Sequence, residues 1–213
     1  MSAVARRAKA EAIPILNHPL TRLMGFAALY PSYEFNREKS MTTPLAAKIA
    51  REYGTPCAVI DMDRVERNIA RIQVACDTAG VANRPHIKTH KSPLLAQMQI
   101  AAGAKGITCQ KIGEAEVMAE AGIDDILISY NLIGEEKMAR LAALQGKANM
   151  TVAADNSTVI AGLPQAASAS GRPLSVVVEC DTGRKRAGVE TPTEAIALAR
   201  EIAASKGLQF AGF

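Results

Sequence analysis

The chain has 213 residues, 48% apolar and 22% charged, which is the make-up of one globular domain with a proper core and not of a disordered segment. No apolar run approaches the roughly eighteen residues that span a bilayer, so no membrane partner is expected. Four scattered cysteines (Cys57, Cys76, Cys109, Cys180) form no C-x-x-C pair; they argue against a disulfide framework or zinc finger and fit a reducing cytoplasm. The net charge of +4 divides unevenly, +3 in residues 1–40 and +1 in residues 41–213. The body thus lacks the basic excess that tracks a phosphate backbone, and nucleic acid is not an expected partner.

Residues 1–40 carry four of the eight aromatics and no sustained period. Asn17, His18, Pro19 and Arg22 interrupt any signal-peptide core, so this segment reads as an extension outside the fold or a misplaced start. The regular pattern opens at Met41, and residues 41–213 are expected to form the folded domain. A helix starts at Thr43-Pro44 and stops at Gly54; Cys57–Asp61 reads as a short buried strand. Met62, Val65, Ile69, Ile72 and Cys76 then mark an amphipathic helix ended by Gly80. Arg84–Ile87 is expected to be extended, and Ser92-Pro93 opens a helix through Ala101.

Strands at Gly106–Cys109, Ile126–Tyr130 and Met150–Ala154 then alternate with helices at Glu114–Ala121 and Glu135–Leu144. Asn156 caps a helix that Pro164 should kink or break. Leu174–Glu179 is a β-branched run suited to a strand buried on both faces, and Thr191-Pro192-Thr193-Glu194 is a capping box. Its helix runs to Gly207, and Leu208–Phe213 begins another strand. Such alternation means βαβ units and a parallel sheet. No G-x-G-x-x-G follows the first strand and no P-loop occurs, which leaves a (β/α) barrel as the expected architecture.

The densest polar cluster is Arg84-Pro85-His86-Ile87-Lys88-Thr89-His90-Lys91, at a strand end. Alternation puts Arg84, His86 and Lys88 on one face, and in a barrel the C-terminal strand ends form the active face. A lysine there, fenced by other cations and partly dry, suits Schiff-base chemistry. His86 and His90 stand four apart, but the segment is not helical and no carboxylate is close, so a metal pair is discounted. Cys109 and Cys180 end strands at the same face, where a small buried hydrophobe is the expected role for each.

This octapeptide resembles the lysine motif of the D-threonine aldolase and D-serine dehydratase family, fold-type III pyridoxal phosphate enzymes that share the alanine racemase barrel. The resemblance extends through Thr55-Pro56-Cys57-Ala58-Val59-Ile60-Asp61, Cys109-Gln110-Lys111-Ile112-Gly113-Glu114-Ala115-Glu116 and Asp181-Thr182-Gly183-Arg184-Lys185-Arg186-Ala187-Gly188-Val189, covering residues 43–213 in order. It implies an α/β fold, a (β/α)8 TIM-type barrel of the alanine racemase N-terminal type that is incomplete in this chain. It further implies that Lys88 holds pyridoxal 5'-phosphate, that Arg186 faces the cofactor's phenolic oxygen, and that Gln110 and His86 lie near the cofactor. Glu114 and Glu116, at a helix start, are assigned to capping. Glu179 stands where alanine racemases carry a lysine, and Lys88-Thr89-His90-Lys91 lacks their tyrosine-bearing segment. Both differences point to aldolase or dehydratase chemistry on a D-β-hydroxy-amino acid.

By the same resemblance the phosphate-binding loops, a β-rich C-terminal domain and the ligands of a divalent metal (Mn or Zn) would follow Phe213. The chain is therefore expected to be the N-terminal part of a cytoplasmic, homodimeric lyase, cut after the sixth barrel strand and inactive alone. A non-catalytic pyridoxal phosphate-binding protein and an inert truncated product are the alternatives.

Overall fold

Buried residues at every second strand position, and at every third or fourth helix position, sort this chain into a layered sheet. The computed structural model describes residues 44–213; the extension read over residues 1–40 lies outside the described residues. The chain divides into two units between Asn68 and Ile69, inside a single helix.

In the first unit α1 spans Pro44–Tyr53, and the Gly54 N–H closes it onto the Ala50 carbonyl at 3.1 Å. Asp61 Oδ1 accepts the Arg64 N–H at 3.1 Å and starts α2, Met62–Ala79. The strand expected at Cys57–Asp61 is not formed among the described residues: Cys57–Ile60 is irregular and Val59 is 57% exposed. With no ladder to join, a short apolar run stays open coil.

The second unit is a five-stranded parallel sheet with strands in chain order: β1 Ile107–Cys109, β2 Asp125–Ile128, β3 Asn149–Ala154, β4 Leu174–Val178 and β5 Leu208–Gly212. Helix α3 (Pro93–Ala101) precedes it, and α4 (Ile112–Glu120), α5 (Glu135–Gln145), α6 (Ser157–Ser170) and α7 (Pro192–Ala204) make the crossovers. Five strands form an α/β fold short of a closed eight-stranded barrel. The strand expected at Arg84–Ile87 contributes a single bridge from His86 to Thr108, because the chain turns into a 3-10 helix at Ile87–Thr89.

One row of strand residues (Ile107, Ile126, Val152, Val176 and their alternates) is sealed beneath helix side chains such as Met118, Leu141, Leu163 and Ile202. Each such burial contributes about 1.5–3 kcal/mol. The opposite row, Thr108, Leu127, Thr151, Ser175 and Gln209 in register, faces the barrel interior. The β4–β5 ladder shifts register between Val176 and Val177.

The capping box is present: Thr191 Oγ1 accepts the Glu194 N–H at 3.2 Å, while Glu194 Oε2 accepts the Thr191 N–H at 3.0 Å. Asn156 caps α6, which continues through Pro164 without the break that proline could have caused. The packed face of that helix, Val159, Ile160, Leu163, Ala166 and Ala167, outweighs the one backbone hydrogen bond that proline forfeits.

At the N-terminal end of the sheet Arg84 pairs with Asp125 at 2.8 Å, directly over Gly106. A Cβ on Gly106 would press on the Arg84 guanidinium and lie 2.5 Å from the Asp125 carbonyl oxygen. Gly106→Ala is expected to lower the unfolding free energy by about 1–3 kcal/mol. Gly162→Ala, in α6 with open space around it, should raise it by about 0.5–1 kcal/mol. Urea unfolding of the two variants checks both signs.

Candidate functional site

The parallel register brings the C-terminal ends of all five strands to one rim, and the residues just beyond them carry the polar chemistry. His86 is half-buried there. Its Nδ1 accepts the Lys88 backbone N–H at 3.3 Å, which leaves the ring proton on Nε2, 3.4 Å from Ser129 Oγ. Gln110, next after β1, flanks the same ring. Burial, then the Lys88 charge, holds the His86 pKa below the usual histidine value, so the ring is neutral.

Lys88 lies in the 3-10 turn and is exposed, where the sequence reading expected it partly dry. The turn that follows the broken strand carries its side chain out over the rim. No hydrogen bond or ion pair engages its ammonium among the described residues.

On the far side of the rim, Arg186 sits on the loop between β4 and α7. The neck of that loop is tied by Asp181 N–H to the Val189 carbonyl at 2.8 Å and by Val189 N–H to the Glu179 carbonyl at 2.9 Å. Gly188, at φ +96°, passes so close that a Cβ would stand 2.6 Å from Asp181 N. Its N–H donates to Asp155 Oδ2 at 3.1 Å, while Asn131 Nδ2 donates to Asp155 Oδ1 at 2.7 Å. Burial raises the Asp155 carboxyl, but the Gly188 N–H and the Asn131 and Asn156 amides outweigh it, and the group stays ionised. Burial and the Asp155 charge push the neighbouring Glu179 upward, with Arg186 opposing. Arg184, Lys185 and Arg186 are all exposed.

The structure thus joins His86 to Gln110 and Ser129, and Arg186 to Glu179 through their charges. It records no contact between Lys88 and Arg186. His90 turns away, its Nδ1 accepting the Ser92 N–H at 3.1 Å.

Two expectations change. Glu114 is no simple capping carboxylate: it is 7% exposed, pairs with Lys91, and accepts the Gln110 N–H at 2.8 Å. Cys180 is exposed because the chain leaves the sheet at that residue. Cys109 is buried as expected, and burial, then Glu114, pushes its thiol up to about 12, which removes it as a nucleophile. Ser129, Asn131 and Asp155 were not singled out from sequence. The available signal was their place as polar residues immediately after buried strands or in the rim loops.

Lys88, an exposed amine beside a neutral imidazole, and Arg186, an exposed guanidinium near Glu179, are residue types that suit an aldehyde cofactor with an anionic ring. Among the described residues no three His, Cys, Asp or Glu side chains stand together to hold a metal ion, so this part of the chain does not fit a metal.

Residues 60–213 match the alanine racemase N-terminal domain family. The chain belongs to that family, whose fold-type III members are pyridoxal phosphate-dependent. It is 40% identical over 158 residues to a D-threonine aldolase of an Arthrobacter species, covering 74% of this chain and 42% of that protein. It is 38% identical over 135 residues to the D-threo-3-hydroxyaspartate dehydratase of a Delftia species, covering 63% and 36%. The crystal structure of D-threonine aldolase from Filomicrobium marinum superposes with a TM-score of 0.72 at 41% identity, over 74% of this chain and 43% of that one. The chain spans less than half the length of these relatives. No helix among the described residues is long and apolar enough to cross a membrane.

The two lowered histidines fix a pH dependence. The unfolded chain takes up protons near pH 6.5 while folded His86 and His90 do so only lower, so stability falls as pH drops below about 6.5. The His86→Asn/His90→Asn double variant should lose less stability than the parent between about pH 7 and 5. Urea unfolding across that range is the measurement; Glu179, whose shift has the opposite sign, is common to both proteins.

Proposed function

We propose that this chain is the lysine-bearing part of a pyridoxal phosphate-dependent lyase that acts on D-β-hydroxy-amino acids, by retro-aldol cleavage or by dehydration. The observation that carries the reading is Lys88, a free amine at the rim, with its backbone N–H fixed by the neutral His86 ring. Likeness to an aldolase and a dehydratase supports the reaction class. The substrate is accordingly a small amino acid.

Pyridoxal phosphate, when bound, supplies an electrophilic carbonyl and an electron-withdrawing ring that weakens bonds at the amino acid's Cα. The chain's own residues do the rest. Lys88 offers its amine without first breaking an ion pair. His86, held neutral, orients the turn through Nδ1 and adds no second charge beside that amine. Arg186 presents its guanidinium from a loop that Asp155 anchors through Gly188. Glu179 holds its proton more tightly than an ordinary carboxyl and is the rim group best placed to exchange one. A divalent metal and a homodimer belong to the same reading.

With pyridoxal phosphate added, the protein should develop the yellow band of a lysine adduct, and Lys88→Ala should abolish it. Borohydride followed by peptide mapping should place the adduct on Lys88; an adduct on another lysine would overturn the assignment. In the full-length enzyme Arg186→Ala should shift the pKa of the band and lower turnover at least tenfold, while Arg184→Ala and Lys185→Ala change either by less than about threefold. Equal effects from all three would reduce Arg186 to surface charge. Incubation with D-threonine (glycine plus acetaldehyde) and with D-threo-3-hydroxyaspartate (oxaloacetate plus ammonia) separates aldolase from dehydratase. In the full-length enzyme a band on Lys88 with neither product would indicate a non-catalytic cofactor-binding protein; in this chain alone it is the expected result.

A further inference from the structure

Among the described residues Glu114 is the one charged side chain less than a tenth exposed. A capping carboxylate needs no such burial, and a capping box would return it to the N–H of Lys111, the residue that precedes α4. Instead Oε2 accepts the N–H of Gln110, one residue further back, and Oε1 meets the ammonium of Lys91, twenty-three residues upstream on another loop. Burial works against the charge, yet Lys91 and the Gln110 N–H outweigh it and hold the carboxyl below its usual range.

Lys91 is itself committed: it sits at φ +50°, and its own N–H closes onto the Ile87 carbonyl at 2.8 Å. Ile87 is fully buried, so the turn Ile87–Lys91 is fixed at its base by packing and at its far end by Glu114. Lys88 rides between those two points.

We propose that Glu114 is a positioning residue that clasps the lysine turn to the end of β1, joining Lys91 to the Gln110 backbone and so setting where Lys88 stands relative to Gln110. The proposal rests on the reading of Lys88 given above. Removing the Lys91 cation strands the buried Glu114 charge and draws water into the seam, and removing the Glu114 charge releases the half-exposed Lys91; either change frees the turn. An amine displaced by an ångström loses capture rate steeply.

The probe is pyridoxal phosphate, and the readout is the rate at which a borohydride-fixed adduct forms on the Lys88 peptide. Glu114→Gln and Lys91→Met should each slow it roughly 10- to 100-fold. The double variant should be no slower than the worse single, because both remove one unit. Lys91→Arg, which keeps the cation, should recover most of the rate. A second readout needs no cofactor: hydrogen exchange at the Gln110 and Lys91 amides should accelerate in Glu114→Gln. If that variant fails to fold, Lys91→Met decides, since the lysine is half-exposed.

Wild-type capture rates in both single variants, or effects that multiply in the double, would overturn the proposal. If the parent protein captures nothing on Lys88, the functional reading fails. Amide exchange then decides the clasp alone: unchanged exchange overturns it and accelerated exchange supports it.

Discussion

A slip of one residue in any strand of this sheet would push a sealed isoleucine or valine into the polar interior and a threonine or serine under the helices. That prohibition holds the rest of the molecule in place. It locks Thr108, Leu127, Thr151 and Ser175 into one level of the inner face. By counting upward it puts Gln110 and Ser129 on the next level and Asp155 and Glu179 above them. The site is a consequence of register. His86 joins it through a single bridge to Thr108, enough to fix the height of the ring without extending the sheet.

At the rim the two signs of charge are handled differently. The carboxylates are tied down: Glu114 by Lys91 and a backbone N–H, Asp155 by one backbone N–H and two side-chain amides. Lys88 and Arg186 stand exposed. Fixed anions thus brace the loops, while these two cations carried on the loops stay exposed to solvent. Glu179 departs from the pattern. Its upward shift follows from being the second carboxyl beside an already ionised first.

Much of this was legible in the sequence, for identifiable reasons. The β-branched run from Leu174 and the capping box at Thr191 are local signals whose chemistry needs no tertiary context; both formed, though the strand is sealed on one face and only half-buried on the other. His86 keeps the strand-end place that alternation implied, through its bridge to Thr108, whereas Lys88 lies beyond it in the 3-10 turn. What was not legible depended on distant partners. Glu114 looks like any first-turn carboxylate until Lys91 arrives from another loop, and Asp155 is unremarked until Gly188 comes down onto it. Pro164 leaves its helix unbroken because its local penalty is fixed while the packing that outweighs it lies on neighbouring elements. The Cys57–Asp61 run has the composition of a strand, but composition does not supply a ladder.

The order of strands matters for how such a chain is made. Every strand pairs with the one before it, and successive strands begin only 18 to 34 residues apart. No strand waits for a distant segment, so as the polypeptide leaves the ribosome each new helix and strand can dock on an edge already present. Assembly by accretion leaves an unsatisfied edge at every moment of synthesis, a standing template for the next strand of the same chain and for a strand of another. On that view the sealed outer row contributes to more than final stability. It lets each unit hold its register while the open edge is occupied by the correct neighbour.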